Sequence, residues 1–158
     1  AALRRELVPS LPAVGVFVDD ELPHMASLVK KGVIQLIQLH GQEEDALVQQ
    51  LQTELGVPVI KAFSIANQDD IKRALESRAD YILLDQGKGG TGKAFDWSLL
   101  KEIDRPYFLA GGLTPQNAAQ AAKLRPYALD VSSGIETDGV KDRDKMTLFM
   151  TTLGVYRR

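Results

Sequence analysis

Short apolar and β-branched runs recur along this chain at an almost constant spacing of about 23 residues, measured from centre to centre. The six runs are centred near residues 16, 37, 60, 83, 108 and 130. Amphipathic stretches separate them, with apolar residues at the spacing of one helix face, as at Leu47, Val48, Leu51 and Leu55. This alternation predicts repeated βα units, in which parallel strands are buried on both faces of a sheet.

The same patterns predict where individual elements lie. We expect helices over residues 21–31, 67–77 and from about residue 142, a short helix near 97–103, and a last strand over 128–131. Thr114 before Pro115 predicts a further helix, with the threonine as its N-cap and the proline at its first position.

Two architectures fit this repeat, an open doubly wound sheet and a (β/α)8 TIM barrel. At this period a barrel would need roughly 185 residues, and it typically has about 250, whereas the chain has 158. Length alone therefore favours the open sheet. Polar residues at the strand ends favour the barrel, because barrel enzymes bind their ligands at the carboxyl ends of several strands. If the last two strands are the seventh and eighth, the six runs are strands 3 to 8.

Composition and charge restrict the class of partner. The chain has 19 Lys and Arg and 21 Asp and Glu, a net charge of −2 that gives no reason to expect nucleic acid or an anionic membrane. With no cysteine, these 158 residues offer no disulfide, thiolate nucleophile or cysteine-bound metal. No apolar run reaches the roughly 20 residues of a membrane span. We expect one domain over residues 1–158, located in the reducing cytoplasm.

Two loops that contain glycine follow the fifth and sixth runs. Gly111 and Gly112 end one strand, and Ser132, Ser133 and Gly134 end the next. Glycine lets backbone N–H groups approach an anion closely, and a helix that follows adds a partial positive charge. One Gly-Gly pair is more often an ordinary turn, but two neighbouring loops with N–H and hydroxyl donors predict a phosphate site.

Two carboxylates lie at or near strand ends. Asp85 directly follows a buried run, where partial withdrawal from water suits a general acid or base, although a cap or loop-ordering role fits about equally well. Asp130 lies inside the apolar run 129–131, and an acid there needs a partner or a function. A hydrogen bond to a neighbouring loop is the favoured interpretation of Asp130.

His40 and Lys61 end the second and third runs. Strand alternation puts Gln38 and His40 on one side of their strand, and a single histidine is more often structural than catalytic. Lys61 could form a Schiff base or pair with Asp85, and we favour charge pairing or a structural role. His24 is the only other histidine, so no pair of histidines has metal-binding spacing on a helix.

The glycine-rich segment 87–93 has the spacing of a truncated P-loop. A P-loop needs Ser or Thr after its lysine to bind magnesium, and Ala94 stands there. The strand also ends at Asp85, and the next helical pattern starts only near Trp97. A mobile active-site loop with glycine hinges is therefore the better interpretation of this segment.

Several strings, in one order from near residue 1 to the end, resemble the phosphoribosylanthranilate isomerase family. They are Val14-Gly15-Val16-Phe17-Val18, Gln38-Leu39-His40-Gly41, Leu83-Leu84-Asp85, Gly89-Gly90-Thr91-Gly92 with Phe95-Asp96-Trp97, Ala110-Gly111-Gly112-Leu113 with Pro115 and Asn117, and Leu129-Asp130-Val131-Ser132-Ser133-Gly134-Ile135-Glu136. The Gly-Gly-Thr-Gly string and the Asp-Val-Ser-Ser-Gly string are the most specific of them.

The resemblance implies a (β/α)8 barrel enzyme of tryptophan biosynthesis that needs no cofactor or metal. It would convert N-(5-phosphoribosyl)anthranilate, a small phosphorylated substrate, to 1-(2-carboxyphenylamino)-1-deoxyribulose 5-phosphate by an Amadori rearrangement. By the same resemblance, Asp85 is the general acid, and His40 and Asp130 line the substrate pocket. The phosphate would be held by Gly111, Gly112, Ser132, Ser133 and Gly134.

The family's first roughly 40 residues, with strands 1 and 2, have no counterpart among the matching strings. In the family a cysteine on strand 1 is the base, and an arginine on strand 2 faces the anthranilate carboxylate. We therefore expect a partial barrel of strands 3 to 8, inactive as it stands, with open edges that favour a homo-oligomer or a swapped assembly. The alternative is a truncated, non-catalytic phosphate-binding or assembly module.

Overall fold

The computed structural model describes residues 8, 10–86, 96–100 and 103–154. The strands are β1 (Val14–Phe17), β2 (Leu36–Leu39), β3 (Val59–Ser64), β4 (Tyr81–Asp85), β5 (Tyr107–Leu109), β6 (Ala128–Leu129), β7 (Glu136–Thr137) and β8 (Val140–Lys141). The α-helices are α1 (Leu22–Lys30), α2 (Asp45–Leu55), α3 (Gln68–Glu76), α4 (Ala118–Lys123) and α5 (Arg143–Thr152), with 3-10 turns at Trp97–Leu100 and Ser133–Ile135.

The first six strands form one sheet in the order β1-β2-β3-β4-β5-β6. The pairs β1–β2, β2–β3 and β5–β6 are parallel. The six strands predicted from the repeat are therefore confirmed, and consecutive strands are neighbours because helical segments carry the chain back between them. No helix among the described residues is long and apolar enough to cross a membrane.

By their internal contacts the residues divide into two compact units. Unit 1 comprises residues 1–62 and 76–82, and unit 2 comprises residues 63–75 and 83–158. The assignment of residues 1–158 to one domain stays a prediction.

Unit 1 buries one face of its strands under α1 and α2. Side chains from the strands, including Phe17, Ile37 and Leu39, share a core with Met25 and Leu51 of the helices. Four of these five side chains are fully buried, and Phe17 is nearly so. Since burial of such a side chain contributes about 1.5–3 kcal/mol, this layer supplies much of the stability of unit 1.

A buried ion pair ties together the segments that follow the strands of unit 1. The Glu43 carboxylate accepts hydrogen bonds from Lys61 Nζ at 2.8 Å, from the amide of Asp19 at 2.9 Å and from the amide of Gly41 at 3.0 Å. The side chains of Lys61 and Glu43 are only 8% and 2% exposed. Asp19 follows β1 and Gly41 follows β2, whereas Lys61 lies inside β3 and does not end it as the sequence predicted. One carboxylate therefore links the segments after β1 and β2 to the middle of β3.

The backbone around the Lys61–Glu43 ion pair restricts which residues fit at the neighbouring positions. Asp19 has a positive φ of 49°, and its side chain accepts a hydrogen bond from the amide of Gln42 at 2.7 Å. A β-carbon on Gly41 would overlap the Asp19 carboxylate, so glycine is required there. Lys61 thus forms an ion pair, which is one of the roles favoured from the sequence. Its partner within unit 1 is Glu43.

Unit 2 contains β5, β6, the hairpin β7–β8 and helices α3 to α5. Leu109 pairs with Leu129, and the amide of Asp130 donates to the carbonyl of Leu109 at 2.8 Å. Helix α5 begins after Asp142, whose carboxylate accepts from the amides of Asp144 and Lys145, as expected of an N-cap.

Three sequence predictions need correction in unit 2, and one element of that unit was not predicted. Thr114 does not cap a helix: residues 115–117 form a turn, and α4 begins at Ala118 with Asn117 as its N-cap. Strand β6 ends at Leu129, so Asp130 follows the strand rather than lying inside it. The helix near Trp97 is a 3-10 turn, and residues 101–102 lie outside the described residues. The antiparallel hairpin β7–β8 was not predicted.

The buried Glu43 carboxylate predicts a pH-dependent contribution to stability. Burial acts to raise the pKa of Glu43, but hydrogen bonds from Lys61 and from the Asp19 amide outweigh it and hold the pKa below its ordinary value of 4.5. A carboxyl whose pKa is lowered by folding stabilises the protein above its unfolded-state pKa and loses that effect as pH falls through its folded-state pKa. At neutral pH we expect Glu43→Gln to lower the free energy of unfolding by about 3–5 kcal/mol, because a buried lysine loses its partner.

Urea unfolding between pH 3 and pH 7 measures this contribution. The difference between the wild-type protein and Glu43→Gln should stay constant near neutral pH and shrink below about pH 4.5. Glu44→Gln is the matched control, since Glu44 is exposed and its side chain forms no capping hydrogen bond to α2. A Glu43→Gln effect as small as that of the control would contradict a stabilising ion pair.

Candidate functional site

Asp85 closes β4 after three fully buried residues and is itself half-buried. Its main-chain carbonyl accepts a hydrogen bond from the amide of Ile65 at 2.8 Å, which holds the end of the strand. A β-carbon built on Gly111 would lie 2.5 Å from Asp85 Oδ1 and 2.6 Å from the amide nitrogen of Gln86. The backbone of Gly111 therefore lies directly against the Asp85 carboxylate, and only glycine fits there.

Gly111 and Gly112 turn the chain away from β5 with φ values of 82° and 65°. Two successive residues with positive φ are tolerated well only by glycine. The Asn117 side chain holds this turn from the other side: its Nδ2 donates to the carbonyl of Gly112 at 2.9 Å, and its Oδ1 accepts from the amide of Thr114 at 2.8 Å. The first glycine loop is thus a fixed structure.

Asn117 holds the Gly111-Gly112 turn by two hydrogen bonds, and the sequence interpretation assigned it no separate role. It was noted only as part of the family string and as a residue near the start of a helix. The signal was present, because an asparagine side chain often bonds to nearby backbone groups and competes with helix formation.

The loop after β6 packs against the loop after β5. Ser132 precedes the 3-10 turn, and the side chains of Ser132 and Ser133 are exposed. A β-carbon on Gly134 would overlap the carbonyl oxygen of Leu113 and would come within 3.2 Å of the Thr114 Cα. The structure therefore brings together the two loops that the sequence predicted to converge.

Backbone donors line these two loops. Among the residues that the structure describes, no hydrogen-bond acceptor is found for the amide N–H groups of Gly112, Ser133 and Gly134. Unpaired N–H groups on adjoining loops suit an anion that accepts several hydrogen bonds. Asp130 lies immediately before Val131 and Ser132, half-buried, with its amide bonded to β5. Unit 2 thus contains Asp85, Asp130 and both predicted phosphate loops.

His40 belongs to unit 1 and follows β2. Its Nδ1 lies 3.1 Å from Nε2 of Gln38, which confirms that the two side chains share one side of the strand. Gln38 is 6% exposed, and its amide nitrogen can only donate, so in this arrangement Nδ1 accepts and a neutral ring carries its proton on Nε2. Gln38 therefore fixes both the orientation and the tautomer of His40.

The remaining candidates are less informative. The glycine-rich segment 87–95, including the predicted mobile loop, lies outside the described residues. Within the described part of the chain, no group of three His, Asp or Glu side chains could hold a metal ion. His24 instead bonds Asp20 at 2.7 Å on an exposed helix start.

Known proteins match this chain over nearly its whole length. A family model described as N-(5'phosphoribosyl)anthranilate (PRA) isomerase matches residues 2–152. The N-(5'-phosphoribosyl)anthranilate isomerase of Lachnoclostridium phytofermentans is 40% identical over an alignment 166 positions long, gaps included. The alignment covers 94% of this chain and 76% of the relative.

Solved structures agree with the sequence comparison. The phosphoribosyl anthranilate isomerase of Thermotoga maritima superposes with a TM-score of 0.87 at 37% identity, covering 98% of this chain and 78% of that one. A phosphoribosyl anthranilate isomerase in complex with reduced 1-(o-carboxyphenylamino)-1-deoxyribulose 5-phosphate superposes with a TM-score of 0.84 at 35% identity, covering 98% and 77%. By sequence and by fold, the chain belongs to the N-(5'-phosphoribosyl)anthranilate isomerase family.

Proposed function

We propose that this chain serves tryptophan biosynthesis in the cytoplasm by isomerising N-(5-phosphoribosyl)anthranilate to 1-(2-carboxyphenylamino)-1-deoxyribulose 5-phosphate. The observation that carries the proposal is the contact between the Asp85 carboxylate and Gly111. Gly111 begins a glycine loop in which the Gly112 N–H has no acceptor among the residues that the structure describes. An acid and an anion-binding loop thus adjoin, as an acid-catalysed reaction of a sugar phosphate requires. A related isomerase binds a reduced form of the same product.

Asp85 is the general acid in this proposal. Its carboxyl proton passes to the ribose ring oxygen, the bond from that oxygen to C1 breaks, and the nitrogen lone pair forms a Schiff base with C1. A base then removes the proton from C2, which gives an enaminol with a C1–C2 double bond. Protonation at C1 and loss of the proton from the C2 hydroxyl turn this enaminol into the ketone. The half-buried position of Asp85 at the end of a buried strand supports this role, because partial withdrawal from water suits a proton donor.

The two loops of unit 2 hold the substrate phosphate. Gly111 and Gly112 offer backbone N–H groups on one loop, and Ser132, Ser133 and Gly134 offer N–H and hydroxyl groups on the other. The packing of Gly134 on the Leu113 carbonyl supports a shared anion site, because it brings the donors of both loops together. We assign His40 and Asp130 to the substrate pocket on the family resemblance, with a fixed His40 Nε2–H as hydrogen-bond donor.

The base for the second step is not among these residues in our proposal. The family resemblance implies a cysteine on strand 1 and an arginine on strand 2 of the barrel, and the 158 residues contain no cysteine. We assign neither role to any of these 158 residues. A polypeptide of residues 1–158 alone would then turn over substrate at no more than a trace rate.

Activity measurements test the assignment of Asp85. In the protein expressed from its complete gene, Asp85→Asn should lower kcat by at least the ~10²–10⁴-fold typical of a general acid, because an amide cannot protonate the ring oxygen. Asp104→Asn is the matched control, since Asp104 is exposed in the segment before β5. Near-normal turnover by Asp85→Asn, or robust turnover by residues 1–158 alone, would overturn these roles.

Titration with inorganic phosphate, followed by chemical-shift changes of backbone amides, tests the phosphate loops. Gly112→Leu should weaken binding about tenfold or more, since it places a side chain in the loop and strains its positive φ. Gly32→Leu carries the same strain, with φ at 66° and open space around the glycine, and should leave phosphate binding unchanged. Equal effects of the two substitutions would argue against a phosphate site at Gly112.

The outer edge of β1 supports the proposal of a homo-oligomer or swapped assembly. Among the described residues β1 pairs only with β2, and Val14, Val16 and Val18 are 39%, 59% and 64% exposed. An apolar strand edge is a template for pairing with another strand.

Sedimentation of the 158-residue polypeptide tests this edge. It should behave as a dimer or larger, and Val16→Lys should shift it toward the monomer, because a charged side chain opposes edge pairing. Val140→Lys is the control, since Val140 is 69% exposed in the separate hairpin. A clean wild-type monomer would contradict the assembly.

A further inference from the structure

A lysine outside the family strings contacts the second phosphate loop of unit 2. Lys141 lies in β8 directly opposite Glu136 of β7, so the hairpin folds it back toward the residues that precede the 3-10 turn. Its Nζ donates to the carbonyl oxygen of Ser132 at 3.0 Å, to the hydroxyl oxygen of Ser132 at 3.2 Å and to Glu136 Oε1 at 2.6 Å. Three donors of one ammonium group therefore have three acceptors, two of them on Ser132.

The direction of these hydrogen bonds constrains the Ser132 hydroxyl. An ammonium group has donors only, so Ser132 Oγ must act as the acceptor toward Lys141. The hydroxyl hydrogen must then point to another acceptor. The Ser132 side chain does not accept from the backbone of the 3-10 turn that follows it, and it is exposed. Lys141 thus makes Ser132 a directed hydrogen-bond donor.

We propose that Lys141 is a positioning residue of the phosphate site: it fixes the backbone and the hydroxyl of Ser132 so that the hydroxyl donates to a phosphate oxygen. The inference rests on the proposed phosphate binding at the two loops. Glu136 keeps the ammonium group of Lys141 in place. Charge-assisted hydrogen bonds of this kind are stronger than neutral ones.

An ordinary surface ion pair is the competing explanation of the contact. Lys141 is 48% exposed and Glu136 is 23% exposed, and pairs of this exposure typically contribute little to stability. That explanation predicts no effect of Lys141 on phosphate affinity. It does not account for the two hydrogen bonds to Ser132, which lie on the side of the phosphate loop.

The experiment measures the affinity of inorganic phosphate for the protein expressed from its complete gene. Four variants are compared: Lys141→Met, Lys141→Arg, Ser132→Ala and the double variant Lys141→Met with Ser132→Ala. Lys123→Met is the matched control, because Lys123 is an exposed lysine at the far end of α4, and its replacement changes the net charge equally. Thermal unfolding of each variant reports whether the fold is retained.

We expect Lys141→Met to weaken phosphate binding about tenfold with an unchanged unfolding midpoint, and Lys141→Arg to restore most of the affinity. The phosphate affinity of the double variant should lie within about twofold of that of Ser132→Ala, because Lys141 acts through Ser132. Wild-type affinity in Lys141→Met, a loss equal to that of Lys123→Met, or additive losses in the double variant would each overturn the proposal.

The outcomes separate this inference from the phosphate site itself. If the wild-type protein shows no phosphate binding at these loops, the phosphate site is wrong. If phosphate binds and Ser132→Ala weakens it while Lys141→Met does not, the site stands and the role of Lys141 is wrong.

Discussion

Parallel pairing of strands is the constraint on which the rest of this structure depends. A parallel neighbour cannot be reached through a tight turn, so the chain must return through a helical segment each time, and every strand then ends at the same edge of the sheet. In unit 2 this places Asp85 at the end of β4, the Gly111 loop after β5 and Asp130 after β6, which are three successive strands. In unit 1 it places Asp19 and Gly41 close enough for the single Glu43 carboxylate to bind both amides. Polar groups far apart in sequence are gathered by the strand direction alone.

The strands, the helical segments and the neighbouring loops could be predicted because short sequence patterns specify them. A run of apolar residues every 23 or so positions specifies strands, and helical spacing specifies the segments between them. Loops after neighbouring parallel strands must then adjoin, which is why the glycine loop and the serine loop were expected together. The pairing of Gln38 with His40 follows from strand alternation in the same way. None of these inferences requires knowing which side chains form hydrogen bonds or ion pairs with each other in the folded protein.

The features that were not predicted depend on specific side-chain contacts or on very short elements. Thr114 and Pro115 have the chemistry of a helix start, but α4 begins at Ala118. Asn117 is its N-cap, and the Asn117 side chain bonds the backbone on both sides of Leu113. Asp85 was the one charge partner that the sequence suggested for Lys61, and only the fold brings Glu43 to it. The β7–β8 hairpin was overlooked although Asp138-Gly139 is a strong turn signal, because two-residue strands carry almost no pattern of their own.

The close approach of Gly134 to the Leu113 carbonyl has a consequence for protein engineering. Two loops that touch through bare backbone have no side chains between them to absorb a change in shape. A loop transplanted from a relative would have to reproduce the path of its neighbour as well as its own. The segments after β5 and β6 therefore form one exchangeable module, and recombination points between relatives belong before Gly111 and after Ile135 rather than between the two loops.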